Sequence, residues 1–335
     1  MPLILTNRQI TTILHTLSSA ELTRFTAALT AAFVALSTQP ASVQQPLRTS
    51  LTTANGGTSL CMPAAFDGVT AIKTVALGPG HPPRGTLTLY SSATGELEAM
   101  LNAEEITGFR TALASLLLLQ RRHATPGLEV RRVAVFGTGK QAEWAVRLLL
   151  KMFPGVGVTV VGRGTSGEVL QKLPAALGFE CCVIGRAEDG SEEELEVLLA
   201  EVDAVFCCTP SCEPLFPMQW LRIEERPVYV SLIGSYKAHM VEVAPELLKA
   251  TGVTVVVDSA KACLSEAGEV IQAGLDASQL VEIGAIFNTG AAAVVEGSCI
   301  FKCVGLGVMD LATGREITRI ARDRGVGVNV DNFDG

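Results

Sequence analysis

The chain has 335 residues, more than the roughly 250 at which a single hydrophobic core stops growing, so two domains are expected. Apolar residues make up 48% and charged residues 18%, which excludes a disordered chain and favours parallel strands buried on both faces. A formal charge of −8 disfavours nucleic acid and anionic membrane as bulk partners, so any anionic ligand must be met by a few local Arg and Lys side chains. In chain order, residues 6 to 37 read as two helices. Ile10, Ile13, Leu14 and Leu17 recur at helical spacing, and Leu22, Phe25, Leu29 and Phe33 repeat it after Ser18-Ser19. Short strands follow from about 47 to 101, with LTLY (87–90) and LEAML (97–101) flanking a hairpin turn. Asn102 and Glu105 form a capping-box-like start to a long apolar helix that runs to about His123. Thr125-Pro126-Gly127 ends it and marks the expected domain boundary.

Beyond that boundary strand and helix alternate. RVAVFG, a helix over 140–152, VTVVG, a helix near 166–177, CCVIG, a helix over 191–200, DAVFCCTP, VYVSLIG and VTVVVD give the rhythm of a doubly wound parallel sheet. The tail contains one more helical stretch, DLATGREITRIARD, able to pack on either domain. The expected fold class is therefore α/β, a Rossmann-type doubly wound sheet joined to an α+β domain. Nine cysteines lack CxxC spacing, and His15, His81, His123 and His239 are widely separated, so reduced thiols and no metal are expected. The N-terminus shows no basic segment followed by a long apolar one, which gives a cytoplasmic expectation.

The strand before Gly137 opens into Gly137-Thr138-Gly139-Lys140-Gln141-Ala142, a G-x-G-x-x-A that starts an apolar helix. Gly137 permits a tight turn, Gly139 lets backbone approach a pyrophosphate, and Ala142 allows close packing, while the helix amides hold the diphosphate. A nicotinamide dinucleotide is the implied cofactor. The next strand ends in Gly162-Arg163, followed by Thr165 and Ser166, where an NAD site usually has Asp or Glu. A carboxylate would repel the extra phosphate of NADP, whereas Arg163 attracts it, so NADP(H) is preferred over NAD(H). Thr209 and Ser211 follow the strand DAVFCC, and Gly234-Ser235 ends the next one, at the edge where dinucleotides bind.

With these motifs in place the sequence resembles the ornithine cyclodeaminase and mu-crystallin family over nearly its whole length. The matching stretches are QPLRTS (45–50), CMPA (61–64), GVTAIKTV (68–75), EEITGFRTALAS (104–115), GTGKQA (137–142), CTPSCEPLF (208–216), VSLIGS (230–235), VDSAKACLSEAGE (257–269) and IFKCVGLGVMDL (300–311). The resemblance implies a substrate and dimerisation domain over 1–125, with 306–335 returning to it, and a Rossmann domain over 126–305. It further implies a homodimer built through the N-terminal sheet and an active site between the two halves. It assigns Arg48 and Lys73 to the substrate, Arg48 as a clamp on a carboxylate and Lys73 as an orienting group or proton donor. Arg110 and Thr111 match an arginine-threonine pair that meets cofactor phosphates or the substrate acid. Lys302-Cys303-Val304-Gly305 matches a nicotinamide-side motif in which Cys303 replaces a serine. His81 and Glu266 match positions near the cofactor or ligand.

One departure bears on the reaction. Aligned on Gly234 and Glu242, Tyr236 occupies the position where ornithine cyclodeaminases carry an aspartate for the substrate amine. A phenol with an ordinary pKa of about 10 neither holds an ammonium nor acts as a good base. The expected activity is therefore NADPH-dependent hydride transfer to the C=N of a small, carboxylate-bearing imine or ketimine, giving an amine or imino acid. The alternatives are an ornithine or lysine cyclodeaminase with bound NAD, an amino-acid dehydrogenase, or a mu-crystallin-like protein that binds NADPH or another ligand without turnover.

Overall fold

The structure is a computed structural model that describes residues 1–163, 182–186, 191–290 and 296–333. The chain divides into two compact units, one formed by Met1–Arg110 with Gly305–Gly335 and the other by Thr111–Val304.

The first unit is built on a mixed eight-stranded sheet. Its strands are β1 (Leu3–Leu5), β2 (Val43–Gln44), β3 (Thr49–Thr52), β4 (Thr58–Phe66), β5 (Val69–Leu77), β6 (Arg84–Ser91), β7 (Leu97–Asn102) and a last strand at Val328–Asn329. The last strand, β1, β7, β6, β5, β4 and β2 follow one another across the sheet, and β3 pairs with β4. β4 to β7 are antiparallel neighbours, and the expected hairpin joins β6 to β7. Along β5, buried Val69, Ala71 and Lys73 alternate with partly exposed neighbours, so one face of the sheet is covered. α1 (Asn7–His15) and α2 (Ser19–Thr38) start at Thr6 and Ser18, each in a reciprocal capping box that satisfies otherwise unpaired amides. The C-terminal helix Gly307–Asp323 packs against α2, β4 and β5, which places the tail in this unit.

α3 (Glu104–His123) begins where Asn102 Oδ1 accepts the Glu104 amide hydrogen at 3.0 Å. Ile106, Phe109, Leu113, Leu116 and Leu118 are all buried, the pattern of a helix without a solvent stripe. The division between the units falls inside this helix, after Arg110, earlier than the boundary expected at residue 125. Pro126 and Gly127 follow the end of the helix, whose first turns belong to one unit and whose later turns belong to the other.

The second unit holds a wholly parallel eight-stranded sheet made of β8 (Arg132–Phe136), β9 (Gly157–Arg163), β10 (Cys182–Arg186), β11 (Ala204–Cys207), β12 (Tyr229–Leu232), β13 (Val253–Val257), β14 (Leu280–Glu282) and β15 (Ser298–Lys302). The spatial order is β10-β9-β8-β11-β12-β15-β13-β14. β11, β12 and β15 are buried at every position, as strands covered by helices on both faces must be. The order reverses between β8 and β11, the switch point at which doubly wound sheets bind ligands. α4 (Lys140–Met152) follows β8 directly. The helix expected near 166–177, and Cys181 of CCVIG, lie outside the described residues. No helix among the described residues is long and apolar enough to cross a membrane.

Candidate functional site

In the parallel-sheet unit, a cleft of about 400 Å³ opens at the carboxyl ends of β8, β9 and β11. Its walls are Phe136 to Gly139, Val161 and Gly162, Cys208 to Ser211, and Leu215. Gly137 sits at φ +118°, and a Cβ there would lie 2.9 Å from the Cys208 carbonyl oxygen, so the turn accepts only glycine without strain. Gly139 is the extended N-cap of α4, and a Cβ on it would meet nothing within 4 Å. Ala142 is completely buried where the first turn of α4 packs. First-turn amides have no partner within their own helix, and the backbone of Thr138 and Gly139, just before that turn, lines the cleft. These features fit a dinucleotide pyrophosphate. Lys140 and Gln141 begin α4 half-buried, and Lys140 pairs with Glu143 at 3.2 Å.

The remaining residues expected at this edge have several settings. Ser211 Oγ donates to the Glu213 carbonyl at 2.6 Å, closing a local turn. The amides of Thr209, Gly234 and Ser235 are all directed onto Glu242, at 2.7, 2.8 and 3.3 Å. Cys303 is buried and its thiol donates to Asp258 Oδ2 at 3.2 Å, and Val304 is buried beside it. Glu266 is half-buried at the end of the helix Ala260–Glu266. Arg163 ends β9 with its side chain outside the described residues, as are Thr165 and Ser166 altogether.

In the first unit Lys73, on the covered face of β5, is 1% exposed, and its Nζ lies 2.7 Å from Asp310 Oδ2 in the C-terminal helix. It also donates to Thr107 Oγ1 at 3.4 Å. Arg110, on α3, reaches the other oxygen of Asp310 through Nε at 3.2 Å. Two buried cations thus share one carboxylate that is itself inaccessible to solvent. Burial pushes the Lys73 ammonium down to about 8; Asp310 opposes the shift and Arg110 adds to it. Arg48 Nη2 donates to the Gly305 carbonyl at 3.0 Å, close enough to Lys73 to repel it electrostatically. The fold therefore gathers Arg48, Lys73 and Arg110. Thr111 is buried one residue further on, and His81 lies exposed in the loop between β5 and β6.

Three charged residues in these settings escaped selection from sequence: Asp310 beside Lys73, and Glu242 and Glu269 behind the cleft, where Glu269 meets Lys302 of the nicotinamide-side motif. Each is fully buried. The available signal is a lone charge inside an apolar run, as in GVMDLA, VEVAP and GEVI, since an isolated buried charge is costly unless paired.

The sequence matches the ornithine cyclodeaminase/mu-crystallin family over residues 7–324. Among curated proteins, the Δ1-pyrroline-2-carboxylate reductase 1 of Burkholderia multivorans is 29% identical over 80% of this chain and 81% of its own. The ketimine reductase mu-crystallin of rat (Rattus norvegicus) is 24% identical over 82% of this chain and 84% of its own. Among solved structures, the Δ1-pyrroline-2-carboxylate reductase of Thermococcus litoralis, in complex with NADH and L-proline, superposes with a TM-score of 0.80 at 21% identity, covering 98% of this chain and 100% of that one. The last likeness is one of fold. With a family match that spans both units and includes the glycine loop, Lys73, Arg110 and Asp310, the chain belongs to the ornithine cyclodeaminase/mu-crystallin family.

Proposed function

We propose that the protein is an NADPH-dependent reductase that adds hydride to the C=N carbon of a small, carboxylate-bearing ketimine to give an amine or imino acid. The observation that carries this reading is the buried Lys73–Asp310–Arg110 group, in which two cations share one anion. Such a group favours a second carboxylate, which a ketimine acid brings. The bound nicotinamide supplies the hydride. Reduction of C=N also requires a proton at nitrogen, and Lys73, with its pKa near 8, is charged at neutral pH yet gives up its proton more readily than an ordinary lysine. Arg48 acts as the clamp on the substrate carboxylate, and Arg110 fixes Asp310.

Tyr236 supports reduction over cyclodeamination. It is half-buried, with Lys237 Nζ 5.6 Å from its ring centroid, and supplies no carboxylate for a substrate ammonium. The preference for NADPH rests on the ending of β9 at Arg163, with Thr165 and Ser166 following. Arg163→Ala is expected to weaken NADPH binding about tenfold and NADH binding less than about twofold, since only NADPH carries a 2′-phosphate for the guanidinium. Equal losses in titrations with the two cofactors would remove that preference. A homodimer formed through the N-terminal sheet and a cytoplasmic location belong to the same reading. Met100, 37% exposed on that sheet, supports the first, and seven cysteines outside any disulfide among the described residues support the second.

The test is optical: NADPH oxidation by the purified protein against cyclic ketimine carboxylates and against 2-oxo acids with ammonia or methylamine. Oxidation that depends on a ketimine is expected. Tight NADPH binding without turnover of any ketimine would point instead to a binding role.

A further inference from the structure

Behind the cleft, one buried carboxylate ties together the ends of two strands. Glu242 is fully buried. Its Oε1 accepts the Thr209 amide hydrogen at 2.7 Å and the Thr209 hydroxyl at 3.3 Å. Its Oε2 accepts the amide hydrogens of Gly234 at 2.8 Å and Ser235 at 3.3 Å. Thr209 follows β11 and Gly234 follows β12, so one side chain fastens both carboxyl ends. The main chain of the same segment completes the tie. Val241 N–H donates to the Ser211 carbonyl at 2.9 Å, and Leu215 N–H donates to the Glu242 carbonyl at 2.8 Å. Thr209, Ser211 and Leu215 all line the cleft.

The approach is close. A Cβ on Gly234 would lie 2.1 Å from the Thr209 carbonyl oxygen and 2.5 Å from Glu242 Oε1, so only glycine fits there. Glu242 is itself braced, because its amide donates to Glu269 Oε1 at 2.8 Å. Ser235 Oγ donates to Glu269 at 2.6 Å. Lys302 Nζ lies 3.3 Å from Glu269 Oε2, donates to the Ser235 carbonyl at 2.6 Å, and also reaches the Ser235 hydroxyl. Ser235, Glu269 and Lys302 are each fully buried.

We propose that Glu242 is a positioning residue for the dinucleotide: its ionised carboxylate, by accepting the amides of Thr209, Gly234 and Ser235, holds the Cys208–Ser211 wall of the cleft in its binding shape. This inference rests on the dinucleotide reading given above. A carboxylate suits the task because both oxygens only accept, whereas an amide of the same size would present an NH₂ to one set of N–H groups. Burial pushes the Glu242 carboxyl up to about 7, against the pull of Lys302 and of the backbone amides, while Glu269 adds to the rise. Cys207, the last residue of β11, and Cys208 after it also face Glu242; burial and Glu242 raise both thiols far above their ordinary range, so they stay neutral. The other charged groups of the loop after β12, Lys237 and His239, are exposed. Protonation of Glu242 would turn an acceptor into a donor facing amides and loosen the wall.

The experiment measures NADH and NADPH affinity and steady-state kinetics for the intact wild-type protein, Glu242→Gln and Glu242→Asp, with folded fraction followed by thermal unfolding. Glu242→Gln is expected to raise the Kd and KM for either dinucleotide about tenfold or more, with kcat at saturating dinucleotide and KM for the ketimine within about threefold. Wild-type NADH affinity is expected to weaken as pH falls from about 8 to about 6, and this dependence should vanish in Glu242→Gln but persist, at intermediate affinity, in Glu242→Asp. Should the glutamine variant fail to fold, the aspartate variant and the wild-type pH profile carry the comparison. Wild-type affinity and an unchanged pH profile in Glu242→Gln would overturn the proposal, as would a flat wild-type profile. A wild-type protein that binds neither dinucleotide would overturn the functional reading itself.

Discussion

Lys73→Met is expected to lower kcat/KM for the ketimine by about 10³-fold while leaving the Kd for NADPH within about threefold. Methionine keeps the side chain up to the ε position and removes the ammonium with its proton and charge. Asp310 retains Arg110 at 3.2 Å, so the fold keeps one compensated pair where three charges stood. Lys73→Arg is not expected to restore turnover, because a guanidinium stays charged and does not deliver a proton. The pH dependence has a definite sign. With the ammonium lowered to about 8, Lys73 is protonated below that value and neutral above it, so kcat/KM should fall as pH rises past about 8. The residual activity of Lys73→Met should lack this limb. A variant rate within a few fold of wild type would remove Lys73 from the chemistry.

Asp310→Asn should lower the unfolding free energy by about 3–5 kcal/mol, because removing the anion leaves two buried cations facing each other without compensation. Urea unfolding of the two proteins measures the difference. Adding Lys73→Met to Asp310→Asn should recover part of the loss, since one uncompensated cation is then gone and residues in contact do not add independently. A loss of less than about 1 kcal/mol in the single variant would mean that solvent reaches this group more freely than its burial indicates.

Much of the fold is legible along the chain because its causes are local. The Ser18 cap that separates α1 from α2, the hairpin between β6 and β7, and the glycine turn between β8 and α4 are written in a few consecutive residues. The insertion of β15 between β12 and β13 is not, because strand order depends on pairing between distant segments. The boundary between the units is likewise hidden, since the apolar character of α3 continues past Arg110 without a break in composition.

For the candidate site the contrast is sharper. Lys73, Arg48 and Arg110 are recognisable by resemblance, but Asp310, which Lys73 and Arg110 share, is not. Arg110 and Asp310 stand 200 residues apart, and nothing near either names the other. Glu242 is concealed for the same reason, its partners lying on two other loops and its role being to shape backbone. The ending of β9 is the reverse case. The proposed preference for NADPH rests on Gly162-Arg163 in the sequence alone, because the side chain of Arg163 lies outside the described residues.

The central claim is that hydride leaves the cofactor for the C=N carbon of a ketimine acid in net reduction, and isotope transfer tests it most directly. NADPH deuterated at C4 of the nicotinamide, in each stereochemical form, is incubated with the protein and a cyclic ketimine carboxylate, and the amino acid formed is analysed by mass spectrometry. One deuterium at the α-carbon from one of the two forms, with NADPH consumed in equal amount, is the predicted result. Unlabelled product from both forms, or proline made from ornithine without net consumption of cofactor, would contradict it.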